Sequence, residues 1–400
     1  MTTNPAPFSK RIAESLAQRQ DAKQWELVIG SMLHRLELDA ADLQEATREY
    51  QKLGDALAAK LSVPRVDVDI FPQGSMRTQT TISPRHPLNF DLDIVVKLSG
   101  PRFVSPNPEI MFREFGQALE GNEAVTGKPE QRRRCWKLPY PGRSFYFDVT
   151  PTIDDPAGHL RVRDAKKGWA PSNPKEFADW FCTIADFRFP FQEVLRKAHL
   201  EARSEVTPLP ANTVGLDDIL RRSVQLMKLH RTNMYWFEEQ WRKDAAPISV
   251  VIVTLATLAY SELHRSKPHE FKTPIEVVLA LVEAMPRFIE RRNGVFWVAN
   301  PRHPAENFAE RWGDAGSKCA PEFFRWHKQL EDDLEVLLTE EHSSIKEDKI
   351  RSVFGAAGVD AWKAGQPKPD VLSGLLASTG PYIHTKPKEP LQSGSSTTLG

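Results

Sequence analysis

The sequence predicts an α+β chain of two lobes, a strand-rich lobe followed by a helical one. Three observations predict it. Apolar residues recur at helical spacing up to residue 61, the period switches to two between 65 and 165, and helical spacing returns from about residue 172.

The elements follow in order. Residues 11–61 read as helix, with Leu27, Leu33, Leu36, Leu43, Leu53, Leu57 and Leu61 at helical intervals and no proline within the stretch before Pro64. Asp39 is placed to cap a long helix from Ala40 to Leu61. Val66, Val68 and Ile70 then alternate with Asp67 and Asp69, a strand whose outer face carries the two acids. A Gly74–Ser75 turn and a short helix with Thr78, Thr80 and Thr81 precede a second strand over Phe90–Val96. A helix is expected near 108–120, and Lys137–Tyr140 with Ser144–Thr150 read as a hairpin turning on Pro141-Gly142. Helices are expected over 174–185, 214–234, 247–263, 275–285, 304–312, 321–341 and 346–359. The stretch 366–400, rich in Pro, Lys, Ser, Thr and Gly, reads as a tail with no packed core of its own. The expected domains are N-terminal helices over 1–61, including a long helix bracing both lobes, a strand-rich domain over 62–168, a helical lobe over 169–365 and the tail.

Composition narrows the function. Lys+Arg and Asp+Glu both number 53 in 400 residues, so the net charge is zero and a binder of histone type, which needs a basic excess, is excluded. The three cysteines, Cys135, Cys182 and Cys319, form no CxxC pair, which argues against a cysteine zinc site and a disulfide framework. The N-terminal residues have no apolar signal core, and the longest apolar run, Val250–Ala259, falls short of the roughly 20 residues that span a bilayer. The chain reads as soluble and cytoplasmic.

The chemistry rests on three carboxylates. Asp91 and Asp93, two apart on a strand, project from one face. Leu92, Ile94, Val95 and Val96 mark that strand as buried, and side-by-side buried carboxylates repel unless a cation lies between them. Asp148 stands alone among apolar residues in Phe145–Val149, where an unpartnered acid is costly. If the two strands pair, three oxygen ligands converge in a manner suited to Mg²⁺, and two such ions would activate a hydroxyl and stabilise a leaving pyrophosphate. Gln73-Gly74-Ser75, ahead of the short helix, offers backbone N–H groups and a hydroxyl to a phosphate.

The ordered set GSM, DLD and FDV resembles the nucleotidyltransferase superfamily of the DNA polymerase β type. FPQGSMRTQTTI, WAPSNPKEFADWF over Trp169–Phe181 and NPRHPAENFAERW over Asn300–Trp312 are similar to segments of bacterial CD-NTases, relatives of cyclic GMP-AMP synthase, and the resemblance runs from about residue 60 to 315. It implies a bilobal polymerase β-like fold, with a mixed sheet, a helical C-terminal lobe and a site in the cleft between them. It implies that Asp91, Asp93 and Asp148 hold two Mg²⁺ ions, for which Mn²⁺ substitutes, and that Asp148 helps activate the attacking ribose hydroxyl. Gln73, Gly74 and Ser75 would hold the donor triphosphate, with Lys228 and Ser249 from the helical lobe. A Lys on an amphipathic helix suits phosphate as a point charge. The implied substrates are nucleoside triphosphates, ATP and/or GTP first and pyrimidine nucleotides also compatible. The implied product is a cyclic di- or trinucleotide, read by a downstream effector in the anti-phage systems called CBASS. Family tails that end in Gly are joined to targets by ubiquitin-like transfer enzymes, which would act here at Gly400.

Arg132, Arg133 and Arg134 precede a strand and read as a solvated turn, and no His/Cys cluster accompanies them, so no DNA activator is expected. His199, His230 and His327 are given no ligand role. Two alternatives stay open at this point. One is transfer to a macromolecule, by RNA extension or protein AMPylation. The other is a non-catalytic, antitoxin-type binding partner.

Overall fold

The computed structural model describes residues 6–38, 40–82, 90–120, 127–192, 216–340 and 347–365. Asp39, His199 and the tail ending at Gly400 lie outside the described residues.

The first three helices divide between two cores. α1 (Phe8–Arg19) and α2 (Ala22–Arg35) bury Phe8, Ile12, Leu16, Trp25, Ile29 and Leu33 in a core made by the helical lobe. α3 (Ala40–Leu61), the long helix expected to brace both lobes, buries Ala46, Leu53, Leu57, Ala58 and Leu61 in the core beneath the sheet. Helical spacing makes one apolar stripe on each helix, and each stripe finds a different layer.

Seven strands form one mixed sheet: β1 (Val68–Pro72), β2 (Phe90–Leu98), β3 (Glu130–Gln131), β4 (Trp136–Pro139), β5 (Phe145–Asp154), β6 (Leu160–Asp164) and β7 (Gly168–Ser172). The order is β1-β2-β5-β4-β3, with β6 pairing the far end of β5 and β7 pairing β6. β2 and β5 are parallel, and the other pairs are antiparallel. The parallel pair needs a crossover, and α5 (Pro108–Leu119) lies within it. The Asn107 side chain caps α5 by accepting from the N–H groups of Glu109 and Ile110. Leu92, Ile94, Val96 and Leu98 of β2 and Phe145, Phe147, Val149 and Ile153 of β5 face α3 and α5 in the core. Period two therefore sends Asp91, Asp93 and Asp148 to the opposite face. At the first strand the turn Arg65–Asp67 is 3₁₀, so Val66 and Asp67 precede β1, and of the two acids only Asp69 lies on the strand.

The helical lobe comprises α6 (Pro174–Ala185), α7 (Ile219–Tyr235), α8 (Gln240–Ala245), α9 (Ser249–Ser266), α10 (Pro274–Ala284), α11 (Cys319–Leu338) and α12 (Glu347–Gly365). α9 is its centre, with Val251, Ile252, Leu255, Ala256, Ala259 and Tyr260 all excluded from solvent. The helix expected over 304–312 is replaced by a short strand, His303–Asn307, paired with Ala299–Asn300, and a 3₁₀ turn, Glu310–Gly313. Asn307 explains the departure. Its side chain accepts from the N–H groups of Val298 and Ala309 and donates to the carbonyl of Phe296, backbone groups that a helix would use otherwise. Just before it, Glu290–Arg292 and Val295–Trp297 pair around Asn293-Gly294, both with positive φ, a hairpin turn carried by an Asn-Gly pair.

Ion pairs join the two layers. Arg133 and Arg134 both reach the fully buried carboxylate of Asp164 at 2.8 Å, and Arg134 also reaches Glu310 of the helical lobe at 2.6 Å. This corrects the expectation of a solvated arginine turn: only Arg132, paired with Glu130, is mostly exposed. Two buried-side carboxylates far along the chain recruit the other two guanidinium groups.

Candidate active site

The strand-to-helix turn after β1 positions the first part of the site. The Gln73 N–H donates to the carbonyl of Asp93 at 2.9 Å, which ties the turn to β2. Gly74 opens α4 (Gly74–Thr78) with φ of 55°. A Cβ there would lie 2.3 Å from Oδ2 of Asp93, so only glycine allows the backbone this close to the carboxylate. The loop is closed by Thr80 N–H donating to the Ser75 carbonyl at 2.9 Å and by Thr81 Oγ1 donating to Ser75 Oγ at 3.3 Å. The Gln73 side chain donates to Thr150 Oγ1 on β5.

The parallel register sets Asp93 directly opposite Asp148. Asp91, Asp93 and Asp148 each present an oxygen within 4.8 Å of the others. Partial desolvation by the surrounding protein raises all three carboxyls above the ordinary range, Asp91 being the exposed member, and mutual repulsion adds to the rise at Asp91 and Asp93. Asp148 Oδ1 is buried without a hydrogen-bond partner. Crowded carboxylates, elevated proton affinity and an orphaned buried oxygen fit a divalent cation held by oxygen ligands.

The helical lobe contributes cations. Lys228 of α7 donates to the Thr80 carbonyl at 2.9 Å, at the far end of the Gly74-Ser75 loop. Burial pushes its ammonium down to about 8, helped by the charge of Arg231 and opposed by Asp93 and Asp91. Lys228 is therefore a half-buried side chain pinned to the loop that follows Gly74-Ser75 and close enough to the triad to feel its charge. Ser249 opens α9, and its hydroxyl accepts from Nη1 of Arg231 at 3.1 Å. Arg221 Nε donates to the Thr78 carbonyl at 3.1 Å, a second tie between α7 and the loop. Gln73, Gly74 and the triad are drawn together by these contacts, and Lys228 reaches the same loop, whereas Ser249 is tied to Arg231 rather than to the triad. Arg231 and Arg221 carry no role in the sequence reading; helical spacing of three from Lys228 is the available signal for Arg231. His230 and His327 are engaged elsewhere, with Asp333 at 2.9 Å and the Val282 carbonyl at 2.7 Å.

The oxygen triad lies on a mixed sheet beside the Gly-Ser turn, the arrangement that the resemblance to polymerase β-type nucleotidyltransferases implies. Residues 29–184 match the family described as Second Messenger Oligonucleotide or Dinucleotide Synthetase domain. A c-di-GMP synthase of Roseivirga ehrenbergii is 29% identical over 302 residues, covering 73% of this chain and 74% of that protein. The CD-NTase CdnG of Bradyrhizobium diazoefficiens, solved in complex with GTP, superposes with a TM-score of 0.62 at 22% identity, covering 84% of this chain and 97% of that one. CdnC from E. coli MS115-1, solved with HORMA-deltaN, gives 0.51 at 13% identity, covering 87% and 97%. Residues 29–184 thus match a nucleotide-joining synthetase domain, and the chain shares its fold with the CD-NTase CdnG. Among the described residues no helix is long and apolar enough to cross a membrane.

Proposed function

We propose that this enzyme joins nucleoside triphosphates into a short cyclic oligonucleotide and releases pyrophosphate, as a second-messenger synthase in anti-phage defence. The observation that carries the reading is the convergence of Asp91, Asp93 and Asp148 beside the Gly74-Ser75 turn. The three carboxylates would hold Mg²⁺, two ions with Mn²⁺ able to replace them, which when bound lowers the pKa of the attacking hydroxyl and offsets charge on the phosphates. Asp148 would accept the proton of a ribose 3′ or 2′ hydroxyl, a role supported by its one buried oxygen free of hydrogen bonds. Gly74 N–H, Ser75, Lys228 and Ser249 orient the donor triphosphate, with Gln73 bracing the turn. In-line geometry then favours attack on the α-phosphate, and positioning supplies most of the gain. Guanosine triphosphate is the first substrate to test, because the c-di-GMP synthase relative and the GTP-bound CdnG both point to guanine nucleotides. A downstream effector and independence from DNA belong to the same reading.

The test is pyrophosphate release from each of the four nucleoside triphosphates, singly and in pairs, with and without Mg²⁺. The reading expects metal-dependent release that the Asp91→Asn, Asp93→Asn variant lacks. Release that survives in that variant overturns it.

A further inference from the structure

Glu310 closes an ionic seam between the two lobes. The strand-rich lobe gathers Arg133, Arg134, Lys166 and Lys167 around one carboxylate of its own, Asp164, which is excluded from solvent. Asp164 Oδ2 accepts from Nη2 of Arg133 and of Arg134, both at 2.8 Å. Its Oδ1 accepts from the backbone N–H groups of Lys166 and Lys167 at 3.0 and 3.2 Å. The two ammonium groups pair with the helical lobe instead, Lys167 with Glu310 at 2.9 Å and Lys166 with Asp314 at 3.0 Å. Glu310 reaches further. Its Oε1 accepts from Arg134 at 2.6 Å and from Arg133 at 3.4 Å while Oε2 takes Lys167, so one side chain of the helical lobe clasps three cations of the other lobe. It stands on the 3₁₀ turn Glu310–Gly313, whose Trp312 packs on Phe323 and Phe296. A network of charge-assisted hydrogen bonds on one carboxylate holds geometry where a single exposed pair does not.

The clasped turn runs straight into β4. That strand is four residues long, and its outer neighbour is the two-residue β3, exposed at both positions. A short strand at a sheet edge has few contacts to fix it. Arg163 Nη1 donates to the Arg133 carbonyl at 2.7 Å, and the Arg132 N–H donates to the Cys135 carbonyl at 2.9 Å, so the turn and the head of β4 form one piece. Lys137, three residues beyond Arg134, stands opposite Asp148 in the β4–β5 register. Its Nζ lies 3.8 Å from the centre of the Tyr146 ring, and Tyr146 shares the face of Asp148 on β5.

We infer that Glu310 is a positioning residue for nucleotidyl transfer: acting through Arg134, it couples the helical lobe to the head of β4 and so holds Lys137 beside Asp148. This rests on the nucleotidyl-transfer reading above. Lys137 brings a positive charge to the edge of three crowded carboxylates, on the side of Asp148 away from β1 and the Gly74-Ser75 turn. Loss of the clasp loosens that charge and the strand that carries it, and leaves the Gly74-Ser75 turn in place. Its mark is therefore a fall in kcat rather than a rise in KM.

The test reads hydrogen exchange and turnover on the same full-length preparations. Glu310→Gln keeps the shape of the side chain and removes its charge. Exchange at the amides of Trp136, Lys137 and Leu138 should quicken at least about 10-fold. The kcat for pyrophosphate release should fall about 10-fold, with KM within about 2-fold of wild type. Lys167→Met is the second variant, because it lies at an exposed position and gives up only one of the three clasped cations. It should move both readings the same way by about 3-fold. Asp314→Asn breaks the neighbouring Lys166 pair alone and should leave both readings within about 2-fold. Turnover unchanged in Glu310→Gln and Lys167→Met, a loss of kcat without faster exchange in β4, or an equal effect of Asp314→Asn overturns the positioning role. Faster β4 exchange in a chain that forms no nucleotide product would instead refute the transfer reading and leave the coupling of Glu310 to β4 standing.

Discussion

Asp93 and Asp148 stand opposite each other on the two parallel strands at the centre of the sheet, on the face turned away from the core. Neighbouring parallel strands are about 4.8 Å apart, so two carboxylates in this register repel strongly in a half-buried setting. A fold that keeps this conflict in its central strands is spending stability on a cation site. Relieving the repulsion should therefore separate stability from activity. Asp93→Asn is expected to raise the Tm of the metal-free protein by about 1–3 °C and to lower turnover at least about 100-fold. Calorimetry and a pyrophosphate assay on the same preparation check both halves.

The raised carboxyls give a pH dependence of definite sign. A carboxyl whose folded pKa lies above its unfolded value holds more protons when folded, so stability falls as pH rises from the ordinary carboxylate range toward neutrality. Mg²⁺ competes with those protons, so its stabilising shift in Tm should grow over the same range. The measurement is Tm against pH with and without Mg²⁺, with Asp91→Asn, Asp93→Asn as the reference; the growth should vanish in the variant.

Gly74 is expected to tolerate no side chain. Its φ of 55° and the 2.3 Å approach of a Cβ to Asp93 Oδ2 act together. Gly74→Ala should cost about 1–3 kcal/mol of stability and displace Asp93, with activity lost at all metal concentrations. Denaturant unfolding and a Mg²⁺ titration of activity separate the two effects; metal rescue of full activity would contradict the close-approach argument.

Asp164 ties the arginine loop ahead of β4 to the end of β6, and Arg134 reaches on to Glu310 of the helical lobe. Arg134 and Arg133 hold its carboxyl well below the usual range, against the opposing effect of burial. A depressed carboxyl contributes stability above the unfolded pKa that is lost as pH falls through the folded one. Asp164→Asn should thus destabilise by about 1–3 kcal/mol at neutral pH, and the difference from wild type should close at strongly acidic pH. Denaturant midpoints at both pH values check the sign.

The triad was legible because isolated acids in a period-two apolar run have few structural explanations. Leu92 and Ile94 against Asp91 and Asp93, and Phe147 and Val149 against Asp148, announce both the strand and the face. Gly74-Ser75 was legible only through its order before that strand. The hairpins over 290–307 were not, because Asn307 replaces the helical hydrogen-bond pattern through side-chain contacts that spacing does not encode. Arg133 and Arg134 were misjudged because their partners, Asp164 and Glu310, are 30 and 176 residues away from Arg134.

The most direct test is mass spectrometry of the phosphatase-treated product formed by the purified protein with GTP, alone and with each other nucleoside triphosphate, in Mg²⁺. The account predicts a phosphatase-resistant species with the mass of a cyclic di- or trinucleotide, absent from the Asp91→Asn, Asp93→Asn variant. Products fully degraded by phosphatase, or label found only on protein or RNA, would contradict it.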